Sequence, residues 1–231
     1  HKLQAKQVGL TLEELNQQRP EVLFYSFIKL PEGKMSTRQG NVVFMDDLLE
    51  EAHAQAADVV LQLRPEYDEH KIAKIAEAVA TAAVRFNIVK VSPEKGFTFR
   101  WEEALAFEAG SAPFIMYAHT RACSIARKAD GLAESSNQPP TFSEMPEGLV
   151  ELLRTICKHN DVLERSVREQ KPHLFALHML DLATAYNGFY RDCAVVQNGR
   201  VNGFAFSISE TARALLRSGL EGLGINAIEE M

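Results

Sequence analysis

Apolar residues recur at helical spacing through most of the chain beyond residue 60, and no other feature restricts the fold as much. Leu149, Leu152, Leu153, Ile156, Leu163 and Val167 form one such face, and Phe175, Met179, Leu182, Tyr186 and Phe189 form the next. Ile72, Ile75, Ala76, Val79, Ala83 and Phe86 lie on one stripe of a helix predicted over about 68–86. Another helix is predicted over about 46–63, ending before Pro65. Pro113 suits the first turn of a helix reaching about residue 128. Ser207, with Glu210 in capping-box position, reads as the cap of a last helix whose inward face carries Ile208, Ala212, Leu215, Gly219 and Leu223. Stripes this wide need partner helices to cover them, so the chain is predicted to be mainly α, with an α-helical bundle from about residue 60 to the end. Residues 131–146, with Ser135, Ser136, Pro139 and Pro140, read as a linker or exposed loop, and residues 91–99 as loop-like.

The first sixty residues have a different character. Residues 22–30 are rich in β-branched and aromatic side chains and predict a buried strand; residues 41–45 predict a short one. Asp46 and Asp47 fall where a helix N-cap belongs, and Thr11 with Glu14 has capping-box spacing. Between the two strands runs Lys34, Met35, Ser36, Thr37, Arg38, Gln39 and Gly40. Backbone N–H groups and a hydroxyl suit the oxygens of a polyphosphate, while Lys34 and Arg38 offset their charge. On its own the loop reads more readily as a solvated basic turn between two strands.

In its flanks the loop resembles the KMSK signature of class I aminoacyl-tRNA synthetases, most closely the arginyl-tRNA synthetase form. That form runs Met-Ser-x-Arg-x-Gly into Val-Val and an Asp-Leu-Leu helix, matched here by Met35, Ser36, Arg38, Gly40, Val42, Val43, Asp47, Leu48 and Leu49. Thr37 stands where the general motif has its second lysine. Farther on, Gly110, Pro113, Phe114, Tyr117, His119 and Arg121 resemble the family's Gly-x-x-Pro-Tyr-x-x-Tyr-x-His-x-Arg segment, with Phe114 in place of a tyrosine. Phe97, Thr98, Phe99, Arg100 and Trp101 are similar to its Ile-Thr-Phe-Asp-Trp, with Arg100 departing from the acidic residue. Tyr186 to Tyr190 resembles its aromatic helix, and residues 220–231 its terminus ending in methionine.

The resemblance implies the last strands and signature loop of a Rossmann-like class I catalytic domain over residues 1–62, then an α-helical anticodon-binding domain over 63–231. It implies an arginine–tRNA ligase that activates arginine with ATP and magnesium and transfers it to tRNA(Arg), acting in the cytoplasm as a monomer. Lys34, Ser36 and Arg38 would stabilise the departing pyrophosphate, with Met35 and Gly40 completing the ATP-phosphate loop. Phe114, Tyr117, Arg121, Tyr190 and Met231 are nominated for tRNA binding. Phe114 and Tyr117, three residues apart, share a helical face, with Arg121 one turn on; spacing alone leaves core packing open beside a platform for unstacked bases. The family's His-x-Gly-His signature is absent from these residues, and the chain opens on His1, so we expect a fragment that is inactive alone.

A net charge of −6 argues against a non-specific nucleic-acid binder, which depends on counterion release, but not against a local basic face. Cys123, Cys157 and Cys193 lie too far apart for a metal motif, and His159, His173 and His178 read as surface or half-buried helix residues rather than ligands. No metal site is expected, and no apolar run approaches the ~18 residues of a membrane span. Two alternatives remain at this stage: a class I synthetase of the cysteine or methionine type, and a non-catalytic helical module binding RNA or protein.

Overall fold

The computed structural model describes Thr11, residues 23–29, Pro31, and residues 44–231 apart from 108–109 and 137. The signature loop, with Lys34, Met35, Ser36, Arg38 and Gly40, lies outside the described residues, as do most of the residues around the Thr11 capping box.

Helices carry most of the described chain: α1 (Met45–Leu63), α2 (Glu69–Val89), the single turn α3 (Trp101–Ala104), α4 (Ala112–Ala129), α5 (Glu147–Arg168), α6 (Pro172–Asp192) and α7 (Gly203–Gly222). Local chemistry starts several of them. The Asp68 carboxylate accepts from the Lys71 amide at 2.8 Å, and the Ser111 hydroxyl from the Phe114 amide at 3.3 Å, with proline in the first turn of α4. Gly110, at φ 75°, makes the left-handed bend that aims α4, and the Lys90 ammonium donates to its carbonyl at 2.9 Å.

α1 and α2 pair as one hairpin and α5 and α6 as another, while α4 contacts α2, α6 and α7. The core fills the space between them: Val79, Phe86, Ile115, Met116, Leu152, Met179, Leu182, Tyr186, Phe189, Leu216 and Leu220 are all fully buried. The bundle and the helix limits expected for α1, α2 and α4 are therefore met. Inside the core, the Tyr186 and Ser209 hydroxyls pair at 2.9 Å, satisfying both.

Other expectations are corrected. Among the described residues of this stretch, 23–29, only Ile28–Lys29 (β1) is strand, and Leu23, Phe24, Tyr25 and Phe27 are 65–84% exposed, because the described residues offer no second layer to cover them. β1 pairs in parallel with Phe97–Thr98 (β2), inside the stretch read as loop. Phe44 is the N-cap of α1 and Met45 is already helical; Asp46 and Asp47 sit in the first turn, where they complement the helix dipole.

Residues 131–146 include β3 (Ala133–Ser136), which pairs in parallel with β5 (Arg200–Asn202); β5 in turn pairs antiparallel with β4 (Val196–Gln197). Asn198 and Gly199, both at positive φ, make the two-residue turn that joins β4 to β5. The last helix begins five residues earlier than expected: Asn202 is its cap, accepting from the Ala205 amide at 3.1 Å. Ser207 lies inside α7 and donates back to the Gly203 carbonyl, while Glu210 pairs with Arg213. The buried face of α7 carries Ala205, Ser209, Ala212, Leu216, Gly219 and Leu220, so Ala212 and Gly219 face inward as expected while Ile208, Leu215 and Leu223 are half-buried. On α5, Leu149 and Leu152 are buried but Leu163 (39% exposed) and Val167 (70%) are not, since that end of the helix contacts little besides the start of α6.

Candidate nucleic-acid interface

Tyr117, Arg121 and Tyr190 meet at one point. The Arg121 guanidinium lies over both rings, 4.4 Å from the Tyr117 centroid and 5.0 Å from that of Tyr190. Asn187, one residue short of a turn before Tyr190 on α6, accepts from Arg121 Nη1 at 2.7 Å. Helical periodicity places Tyr117 and Arg121 on one face of α4, and the α4–α6 contact brings Tyr190 to them. The result is a cationic plane clamped between two aromatic faces, a preorganised arrangement for stacking against an unstacked base.

This clamp lines a cleft of about 420 Å³. One wall carries Thr120, Ser124 and Arg127 from α4; opposite stand Arg64, which closes α1, and Tyr67 and Lys71 at the entry to α2. Glu229, Glu230 and Met231 from the tail complete it. The Lys71 ammonium sits 4.1 Å from the Tyr67 ring centroid. Beside the cleft opens an apolar recess of about 250 Å³, formed by Val60, Leu63, Arg64, Phe107, Tyr117 and Met231.

The tail is held against the bundle by three bonds, one from the end of α1 and two from α4. Arg64 Nη2 donates to the Met231 carbonyl at 3.3 Å, His119 Nδ1 bonds the Ile228 carbonyl at 3.0 Å, and Arg127 Nη1 donates to the Glu229 carbonyl at 3.3 Å. Because a carbonyl only accepts, His119 carries its proton on Nδ1, leaving Nε2 to face the Cys123 thiol at 3.5 Å. Burial holds the His119 pKa below its ordinary value, which keeps the ring neutral in this role. Met231, a bare chain end on sequence grounds, is 8% exposed and forms a wall of both cavities.

Of the nominated tRNA-binding residues the structure brings together Tyr117, Arg121, Tyr190 and Met231. Phe114 is separated from them: it lines a different cleft of about 760 Å³, with Gly148, Thr155, Lys158, His178, Asn187 and Arg191 among its walls. The three-residue step turns it towards α5 and α6. Sequence reasoning missed Arg64, Tyr67 and Lys71, which no local motif marks because they reach the cleft only through helix packing, and it missed the bond from Arg121 to Asn187.

The histidines also depart from expectation. His159 and His178 are both buried, with Nδ1 and Nε2 at 3.2 Å, so the two nitrogens share one hydrogen. Desolvation first, then the His159 and Lys158 charges, depress the His178 pKa to about 4. Among the described residues no group of three or more His, Cys, Asp or Glu is placed to hold a metal, and no helix is long and apolar enough to cross a membrane.

Comparison with known proteins identifies the family. Residues 115–231 match the family described as the DALR anticodon binding domain, and residues 24–101 match the catalytic domain of the class I (R) tRNA synthetases. The whole chain is 39% identical to the arginine–tRNA ligase of Methanospirillum hungatei, covering 41% of it. It is 42% identical to that of Methanocella arvoryzae, covering 40%. The solved arginyl-tRNA synthetase of Thermus thermophilus superposes with a TM-score of 0.73 at 31% identity, over 90% of this chain and 35% of that one. The chain thus spans about two fifths of the length of the curated relatives it matches. It belongs to the arginyl-tRNA synthetase family, with a DALR anticodon-binding domain preceded by part of the class I catalytic domain.

Proposed function

We propose that the chain is the tRNA-reading portion of an arginine–tRNA ligase, and that its cleft takes unstacked anticodon bases of tRNA(Arg). The observation that carries this reading is the Arg121 guanidinium clamped between Tyr117 and Tyr190, beside Met231, within the matched anticodon-binding region. Aromatic faces bind any base, so selection requires the polar edge of the cleft, where Thr120, Ser124, Arg64 and Arg121 supply donors and acceptors. Phe114, facing the second cleft, would contact RNA outside the bases held at the clamp. We place the division between the catalytic part and the anticodon-binding part at residues 62 and 63, on the ground that α2 packs against α4 and α6.

In the whole ligase, ATP with its magnesium and arginine are the co-substrates. Lys34, Ser36 and Arg38, with Met35 and Gly40, would stabilise charge growing on the departing pyrophosphate. Such chemistry runs on positioning and electrostatics and needs no covalent nucleophile. Because the His-x-Gly-His signature is absent from these residues, the purified chain is expected to bind tRNA without arginylating it; transfer of labelled arginine by the chain alone would refute this.

The direct test is binding to tRNA(Arg) beside the same tRNA with its middle anticodon base changed. Preference for the native anticodon is expected, and Tyr117→Ala should weaken that binding roughly tenfold, the worth of one base–aromatic stack. Tyr190→Ala, at a side chain already 41% exposed, should act in the same direction without disturbing the fold. Equal binding of both tRNAs by a folded sample overturns the reading.

A further inference from the structure

Four cations line the cleft: Arg64, Lys71, Arg121 and Arg127. Arg121 is committed to the two tyrosines and Asn187. Lys71 and Arg127 converge instead on a single carboxylate, that of Glu230, with Lys71 Nζ at 2.9 Å from one oxygen and Arg127 Nη2 at 4.0 Å from the other. The Lys71 contact joins residues 159 apart in sequence, so it is made by the fold and not by local geometry. The carboxylate is solvent-exposed, and an ion pair in that setting contributes little to stability. A lysine and an arginine about one planar oxyanion, at the edge of an aromatic cleft, are also the donor set that takes a phosphodiester.

We propose that Glu230 occupies the place of an RNA backbone phosphate, and that entering RNA moves its carboxylate aside and puts a phosphate on Lys71 and Arg127. The inference rests on the proposed RNA-binding role of the cleft and adds what happens at its charged edge. A polyanion that offers phosphates alone exchanges one anion for another and gains nothing there. An RNA that also stacks a base on the Tyr117–Arg121–Tyr190 clamp gains that contact in addition. Glu230 therefore lowers the affinity of every phosphate ligand alike, so that only an RNA with the added base contact binds appreciably. It also lowers the salt dependence of binding, since a cation already paired with a carboxylate adds no net ion release when it changes partner.

Glu230→Gln in the full 231-residue chain separates charge from tether, because the amide retains the hydrogen-bonding shape. Two RNA hairpins serve as probes: the tRNA(Arg) anticodon stem–loop, and the same hairpin with an abasic loop. Titration by fluorescence anisotropy between ~50 and ~200 mM salt gives affinity and slope. E230Q is expected to tighten the abasic hairpin about fivefold, the order of one unit charge removed some 4 Å away in water. The cognate hairpin should gain no more than that, and the salt slope should steepen by about 0.7, one phosphate on a single strand. Adding Lys71→Gln should abolish the gain. Unchanged or weaker binding of the abasic hairpin by E230Q, with circular dichroism unaltered, overturns the proposal and assigns Glu230 to anchoring the tail. Failure of the broader reading has another signature: wild-type chain that does not distinguish the cognate from the abasic loop.

Discussion

Replacing Gly148 with alanine will destabilise the chain by about 3 kcal/mol, at the upper end of the range for overpacked sites, and lower its Tm by roughly 5–10 °C. Gly148 lies in the first turn of α5 against Gly188 of α6, and a Cβ there would stand 2.6 Å from the Gly188 carbonyl carbon and oxygen. Both groups are backbone, so neither can swing away as a side-chain tip would. The Cβ would also lie 2.7 Å from the Asp192 carboxylate that accepts from the Gly148 amide. Helix propensity pushes the other way, since alanine is favoured over glycine by up to about 1 kcal/mol. The collision exceeds that gain. Gly222, with nothing within 4 Å of its would-be Cβ, makes the control: Gly222→Ala should be neutral or slightly stabilising. Denaturant midpoints of the two variants, measured side by side, decide the matter; a neutral Gly148→Ala would mean that the α5–α6 crossing is looser than described.

The second large effect is loss of stability in mild acid, centred on the His159–His178 pair. In the fold His178 is pushed down to about 4 from an ordinary value near 6.5, so between those limits the unfolded chain binds a proton that the folded chain refuses. The contribution is fully present above pH 6.5 and is lost as pH falls towards 4. At about 1.4 kcal/mol per unit the full span is worth up to about 3 kcal/mol, of which about 2 should be lost between pH 7 and pH 5. His159, depressed by burial in the same pair, acts in the same direction. Urea midpoints at the two pH values measure this, and His178→Gln should make the dependence distinctly shallower. An unchanged dependence in that variant would remove His178 as its source.

The helices were legible because their signals are local. Ile75, Ala76, Val79, Ala83 and Phe86 announce the buried face of α2, and Pro113 marks the start of α4 within a residue. The three-residue step from Phe114 to Tyr117 was read correctly as helical but not in its consequence. In a bundle that packs α4 on several sides, side chains three apart can enter different clefts. The cap of α7 was misplaced because Ser207 and Glu210 have the right spacing, whereas Asn202 followed by Gly203 is a weaker written signal that the β5 strand makes decisive. Strands of two to four residues, such as β2 and β3, carry too little pattern to be seen before their partners are known. At the cleft, Tyr117 and Arg121 share one helix and could be paired from spacing. Arg64 and Lys71, at the turn between α1 and α2, meet Glu230 from the far end of the chain and could not.

That last arrangement bears on how the protein is made. Arg64 and Met231 are 167 residues apart, Lys71 and Glu230 159, and His119 and Ile228 109, so the helices that form the cleft leave the ribosome well before the wall that closes it. A chain released early, within α7, would retain most of its helical content while lacking Ile228, Glu229, Glu230 and Met231. By every measure of secondary structure it would pass as nearly complete, and its binding cleft would stand open on one side. Residues 228–231 are therefore what turns an already folded bundle into one with a walled cleft.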